Sequence, residues 1–173
     1  MSQPAGLIRL EGMSGALLLF INPLKDRTMS TQARFDYFRL SAELSKKYLD
    51  FSMAFRMDKT LAVLIDIRAS QLNGCAFCLD MHSRDAREAG ESERRLYVLP
   101  AWRETTLFTP REQAALAWTE ALTLITEGHA SDADYEFAKS QFSDAELVNL
   151  TLAITTINAW NRFAIGFRKA LPA

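Results

Sequence analysis

Apolar residues recur at spacings of three and four along most of the chain beyond residue 40, and capping residues break that pattern into helix-sized pieces. Leu44, Tyr48, Phe51 and Phe55 predict a first helix over about 41–56. Asp58 offers an N-cap for a second, running through Leu61, Leu64, Ile65 and Leu72 to Asn73-Gly74. A third spans about 75–89, with Gly90 placed as the left-handed residue after its end. Ser92 caps a short helix containing Leu96, which reaches Trp102 after a break at Pro100. Thr109-Pro110-Arg111-Glu112 combines a threonine cap, a proline at the first helical position and a glutamate at the third. It opens a helix through Trp118, Leu122 and Ile125 that stops near Gly128. Ser131 with Asp134 and Ser143 with Glu146 repeat the cap, and the last helix covers about 144–169. Strand signals are scarce: the one Asn-Gly pair, Asn73-Gly74, sits between helical patterns, not alternating ones. The expectation is an all-α, single-domain bundle of about six or seven helices.

Bulk properties narrow the function. The 173 residues suffice for one domain with a sizeable core. Twenty basic residues face 21 acidic ones, so nothing supplies the positive surface that a nucleic-acid backbone needs. No apolar run reaches the ~18 residues of a membrane span. Residues 1–28 hold one short apolar stretch, Gly15–Ile21, between charged residues and with no small-x-small cleavage pattern, a poor match to a signal peptide. Met29 stands just before the helical pattern begins. Residues 1–28 are therefore set apart as an N-terminal extension of uncertain status, and 29–173 as the helical domain. A native start at Met29 competes with an ordinary extension packed on the domain.

The chemistry concentrates in Ser70-Gln71-Leu72-Asn73-Gly74-Cys75-Ala76-Phe77-Cys78-Leu79-Asp80-Met81-His82. Cys75 and Cys78 are the only cysteines, and a bridge between them closes almost no loop, so a structural staple gains little. In a chain without a clear export signal, such a pair reads as redox or metal chemistry in a reducing compartment. If a helix starts near Asn73 or Gly74, Cys75, Cys78 and His82 share one face at intervals of three and four. Unpaired N–H groups at that helix start favour a thiolate, and His82 one turn on can accept its proton. Three plainer readings compete: two buried core cysteines, a zinc site lacking a clear fourth ligand because His129 is the only other histidine, and a His82 that merely packs in the core.

The stretch Arg68–His82 closely resembles the core motif of AhpD-like alkylhydroperoxidases in the carboxymuconolactone decarboxylase superfamily. The likeness runs from Arg34-Phe35-Asp36-Tyr37 through Trp102-Arg103-Glu104 and Ala115–Ala121 to Ile157–Phe163. It implies a helical, homo-oligomeric fold and thiol-dependent reduction of peroxides. A cytoplasmic setting is expected from the cysteine usage, and no bound cofactor or metal is expected. By position, Cys78 resembles the peroxidatic cysteine, Cys75 the resolving cysteine and His82 the proton-transfer histidine. An external dithiol or protein reductant would restore both thiols. The best-studied members carry a glutamate twelve residues before the first motif cysteine; Val63 stands there instead. Asp66, one turn later, is the candidate replacement, against the plainer reading of an acid on a solvated face. Asp80 and Asp85 are assigned to the polar face of the motif helix. The alternatives to a peroxidase are a lactone decarboxylase of the same superfamily and a redox sensor without turnover.

Overall fold

The computed structural model describes residues 30, 32–54 and 57–171. The fold lies within the unit Gln32–Ala173. The expectations for residues 1–28, for a start at Met29 and for Phe55 fall outside the described residues. No strand occurs among the described residues. The helices are α1 (Tyr37–Leu40), α2 (Ala42–Ser52), α3 (Lys59–Asn73), α4 (Ala76–Glu88), α5 (Glu93–Val98), α6 (Pro110–Thr123), α7 (Ile125–Gly128), α8 (Asp132–Lys139) and α9 (Asp144–Phe167). A 3₁₀ segment, Leu99–Glu104, follows α5 and contains Pro100. The described residues thus carry nine helices where six or seven are predicted. Seven match the predicted segments, and the two additions, α1 and α7, are single turns of four residues.

Caps account for most boundaries. Asp58 accepts the Leu61 N–H, Ser92 the Arg95 N–H, and Thr109, Ser131 and Ser143 each close a reciprocal capping box. The predicted helix from Thr109 to Gly128 breaks at Leu124, whose φ of −99° and ψ of 37° leave the helical region. The last helix ends two residues early because Arg168 adopts a left-handed φ of 53°.

The central helix is α3, packed against α4, α6 and α9. Its Leu61 and Ile65 join Trp118, Leu147, Leu150 and Ile154 in one apolar cluster. Leu64 and Ile67 turn to a second cluster with Leu99, Trp102 and Leu116. With both sides covered by side chains, α3 is fixed along its length. Glu120 ties this frame together: Arg68 Nε donates to its Oε1 at 2.8 Å, as does the Trp102 indole at 2.8 Å, and Arg103 pairs with its other oxygen. Burial pushes the Glu120 carboxyl up, but these donors reverse the shift and hold it below the usual carboxylate range. None of the described helices is long and apolar enough to cross a membrane.

Candidate active site

The junction of α3 and α4 builds the site. Gly74 takes φ 69°, a left-handed conformation open to glycine at little cost. The Gly74 N–H donates to the Gln71 carbonyl at 3.3 Å and the Cys75 N–H to the Ser70 carbonyl at 3.0 Å, the paired bonds of a Schellman turn. Asn161, fully buried on α9, locks this turn: its Nδ2 donates to Ser70 Oγ at 3.0 Å and its Oδ1 accepts from Asn73 Nδ2 at 2.8 Å. Asn158 accepts the same Asn73 amide at 2.9 Å, and Arg162 folds back to the Asn158 carbonyl at 2.6 Å. Trp160 donates its indole N–H to Ser52 at 2.9 Å. Asn158 and Asn161 thus position the motif from behind, with Arg162 bracing Asn158 and Trp160 tied to α2.

Cys75 is the N-cap of α4, one residue outside the helix. Its sulfur accepts the Cys78 N–H at 3.3 Å, so the cap position brings it over the first turn beside Cys78. The two are joined as a disulfide with Cα atoms 5.4 Å apart, a normal span. Both are buried and pack on Ala164 of α9 and on Phe77.

His82 follows one turn after Cys78. Its Nδ1 lies 3.7 Å from Asp66 Oδ2, beyond hydrogen-bond distance but within reach of a small side-chain rotation. Asp66 is not on a solvated face: it turns into the cavity beside His82. Val63 packs instead against the cluster around Leu99 and Trp102. Burial, reinforced by the Asp85 charge, pushes the Asp66 carboxyl up to about 7. Burial also lowers the His82 pKa, which Asp85 partly opposes, so the imidazole is neutral at neutral pH.

A cavity of about 660 Å³ opens onto this group. Cys78, His82, Asp66 and Asp85 line it, whereas Cys75 lies behind Cys78 and does not. Tyr37, Met53, Phe77, Met81, Ile157 and Trp160 make its apolar walls. Asp85 therefore does more than sit on a polar face, while Asp80 pairs with Arg84. His129 ends α7 and does not line this cavity. Two contributors gave no usable signal in the sequence: Asp85, which reads as a surface acid, and Lys169, a single cation near the chain end whose ammonium lies 4.2 Å from the centre of the Phe77 ring.

The chain is similar to several known proteins. Residues 43–121 match the model of a family described as the carboxymuconolactone decarboxylase family. An uncharacterized Bacillus subtilis protein, YdfG, is 40 % identical over 136 residues, which are 77 % of this chain and 92 % of that one. A crystal structure from Agrobacterium tumefaciens, of a protein of unknown function provisionally described as the antioxidant defence protein AhpD, superposes with a TM-score of 0.78 at 39 % identity. That match covers 82 % of this chain and 99 % of the other. An uncharacterized peroxidase-related protein from Silicibacter shares the fold at 20 % identity and a TM-score of 0.66, over 75 % of this chain and 71 % of its own.

Proposed function

Because the chain belongs to the carboxymuconolactone decarboxylase family, with an AhpD-like fold, we propose that it is a thiol peroxidase cycling between a Cys75/Cys78 dithiol and disulfide. The observation that carries this reading is the cavity itself, where Cys78 is the sulfur on the lining and His82 and Asp66 share its wall. In the reduced form the α4 N-terminus favours a Cys78 thiolate. The neutral His82 takes the thiol proton; the thiolate attacks the terminal oxygen of a hydroperoxide, the O–O bond breaks, and the leaving alkoxide takes that proton from the His82 imidazolium. Cys78 becomes a sulfenic acid. The Cys75 sulfur, already seated over Cys78, displaces water from it and forms the disulfide. A dithiol donor then reduces the pair by exchange through Cys78. Asp66 takes up or returns the His82 proton, the part that Val63 is unable to play.

The intact pair, with Cys78 on the cavity lining, favours redox over lactone decarboxylation, which needs no dithiol. The redox-sensor reading rests on the missing acid at Val63; Asp66 beside His82 supports turnover instead. A reducing compartment such as the cytoplasm suits the recycling step. Cys78→Ser is expected to abolish hydroperoxide turnover, while Cys75→Ser leaves a Cys78 sulfenic acid that dimedone labels. Turnover retained by Cys78→Ser would remove the assignment.

A further inference from the structure

The cavity is far larger than the smallest peroxide requires. About 660 Å³ lies in the range that encloses whole organic molecules, against the ~30 Å³ that a water molecule takes up in the liquid. Hydrogen peroxide would leave nearly all of it unfilled, and its apolar walls would gain nothing from so polar a ligand.

Its charge is unevenly placed. Asp85 lies eight residues along α4 from Phe77, roughly 12 Å at the helical rise. At the Phe77 end stands Lys169. There the left-handed Arg168 turns the chain, and the Lys169 N–H closes onto the Ala164 carbonyl at 2.9 Å. Ala164 packs on both cysteines, so this turn seats Lys169 on the sulfur side of the cavity. Its ammonium lies 4.2 Å from the Phe77 ring centre and 5.7 Å from that of Tyr37. The ring faces hold the cation in place without neutralising it. Among the described residues no carboxylate pairs with it. Lys59, the other lysine of the cavity, directly follows the Asp58 carboxylate that caps α3, so its field is already partly offset.

Resting on the thiol-peroxidase reading, we propose that the substrate is an organic hydroperoxide with an apolar body and a carboxylate, the body filling the cavity and the carboxylate pairing with Lys169. The carboxylate takes no part in the reaction. It orients the molecule so that the hydroperoxide oxygen meets Cys78, and it leaves unchanged on the alcohol product.

The test compares linoleic acid hydroperoxide with its methyl ester, using the full-length enzyme and a dithiol reductant. Wild type is expected to prefer the acid in kcat/KM by roughly three- to fivefold, the scale of one partly solvated ion pair. Lys169→Met brings the ratio to unity and Lys169→Glu inverts it. A wild-type ratio of unity, or a preference that survives Lys169→Met, overturns the proposal. A second measurement needs no turnover: calorimetric titration of the disulfide form with octanoate and with octan-1-ol. Octanoate binding is expected to weaken in Lys169→Met while octanol binding does not. Equal octanoate affinity in the two proteins refutes carboxylate recognition, whereas absence of turnover with every hydroperoxide refutes the peroxidase reading instead.

Discussion

Asp66 is held in two opposing relationships: burial and Asp85 resist its charge, while His82 3.7 Å away can share its proton. Unfolded, the carboxyl ionises near 3.8; folded, near 7. Below pH 4 both states hold the proton and nothing is lost. Between pH 4 and 7 only the folded state holds it, so stability falls as pH rises, and above 7 the loss is constant. The full shift corresponds to about 4 kcal/mol. The side chain is 29 % exposed, and solvent screening brings the figure to about 2 kcal/mol. Asp66→Asn is therefore expected to raise stability over wild type at pH 8 and leave it equal at pH 4, read from urea unfolding at both pH values. The same substitution should remove an inflection near pH 7 from the kcat/KM profile for hydroperoxide. His82 contributes with the opposite sign: its lowered pKa withdraws stability as pH falls through 6.5. Cys75, Cys78 and His82 were legible because a fixed local spacing sets them on adjacent turns. Asp66 was legible only as an alternative, since a spacing counted along one helix does not say which face meets α4. Val63 and Asp66 are one turn apart, and neighbouring helices decide between them. Asp85 and Lys169 acquire their places through tertiary contacts with no local pattern.

At the scale of elements, the informative join is the turn from α3 to α4, whose orientation depends on α9. Asn161 is fully buried and satisfies Ser70 and Asn73 together. Asn161→Ala removes both bonds and strands polar groups, with an expected loss of about 3 kcal/mol in thermal or chemical unfolding. Because it loosens the turn that seats Cys75, the variant should also form the disulfide more slowly. Helix starts were readable residue by residue, as at Thr109, Ser131 and Ser143, because a cap is a local hydrogen-bond arrangement. Breaks were not. Nothing in the sequence at Leu124 or Ser41 forbids helix, yet the backbone leaves the helical region at both. The left-handed Arg168 likewise has no glycine to announce it.

For the whole molecule, helical periodicity and the absence of alternating runs were enough for the fold class, since they decide which elements exist. Their assembly around α3 required the buried faces. Leu40, Leu44 and Met53 on the α1–α2 side are more than two-thirds exposed, an apolar surface of the kind that subunits cover. A homo-oligomer is expected, and light scattering on the full-length protein tests it; a monomer mass at micromolar concentration counts against it. The central claim is chemical: Cys78 meets a hydroperoxide and Cys75 completes the oxidation. The most direct measurement starts from fully reduced protein, adds a limiting amount of cumene hydroperoxide, blocks free thiols and counts the Cys75–Cys78 disulfide by mass spectrometry. One disulfide should form for each hydroperoxide consumed, and a dithiol should reverse it. Thiols that remain fully alkylatable after the hydroperoxide has disappeared would contradict the account.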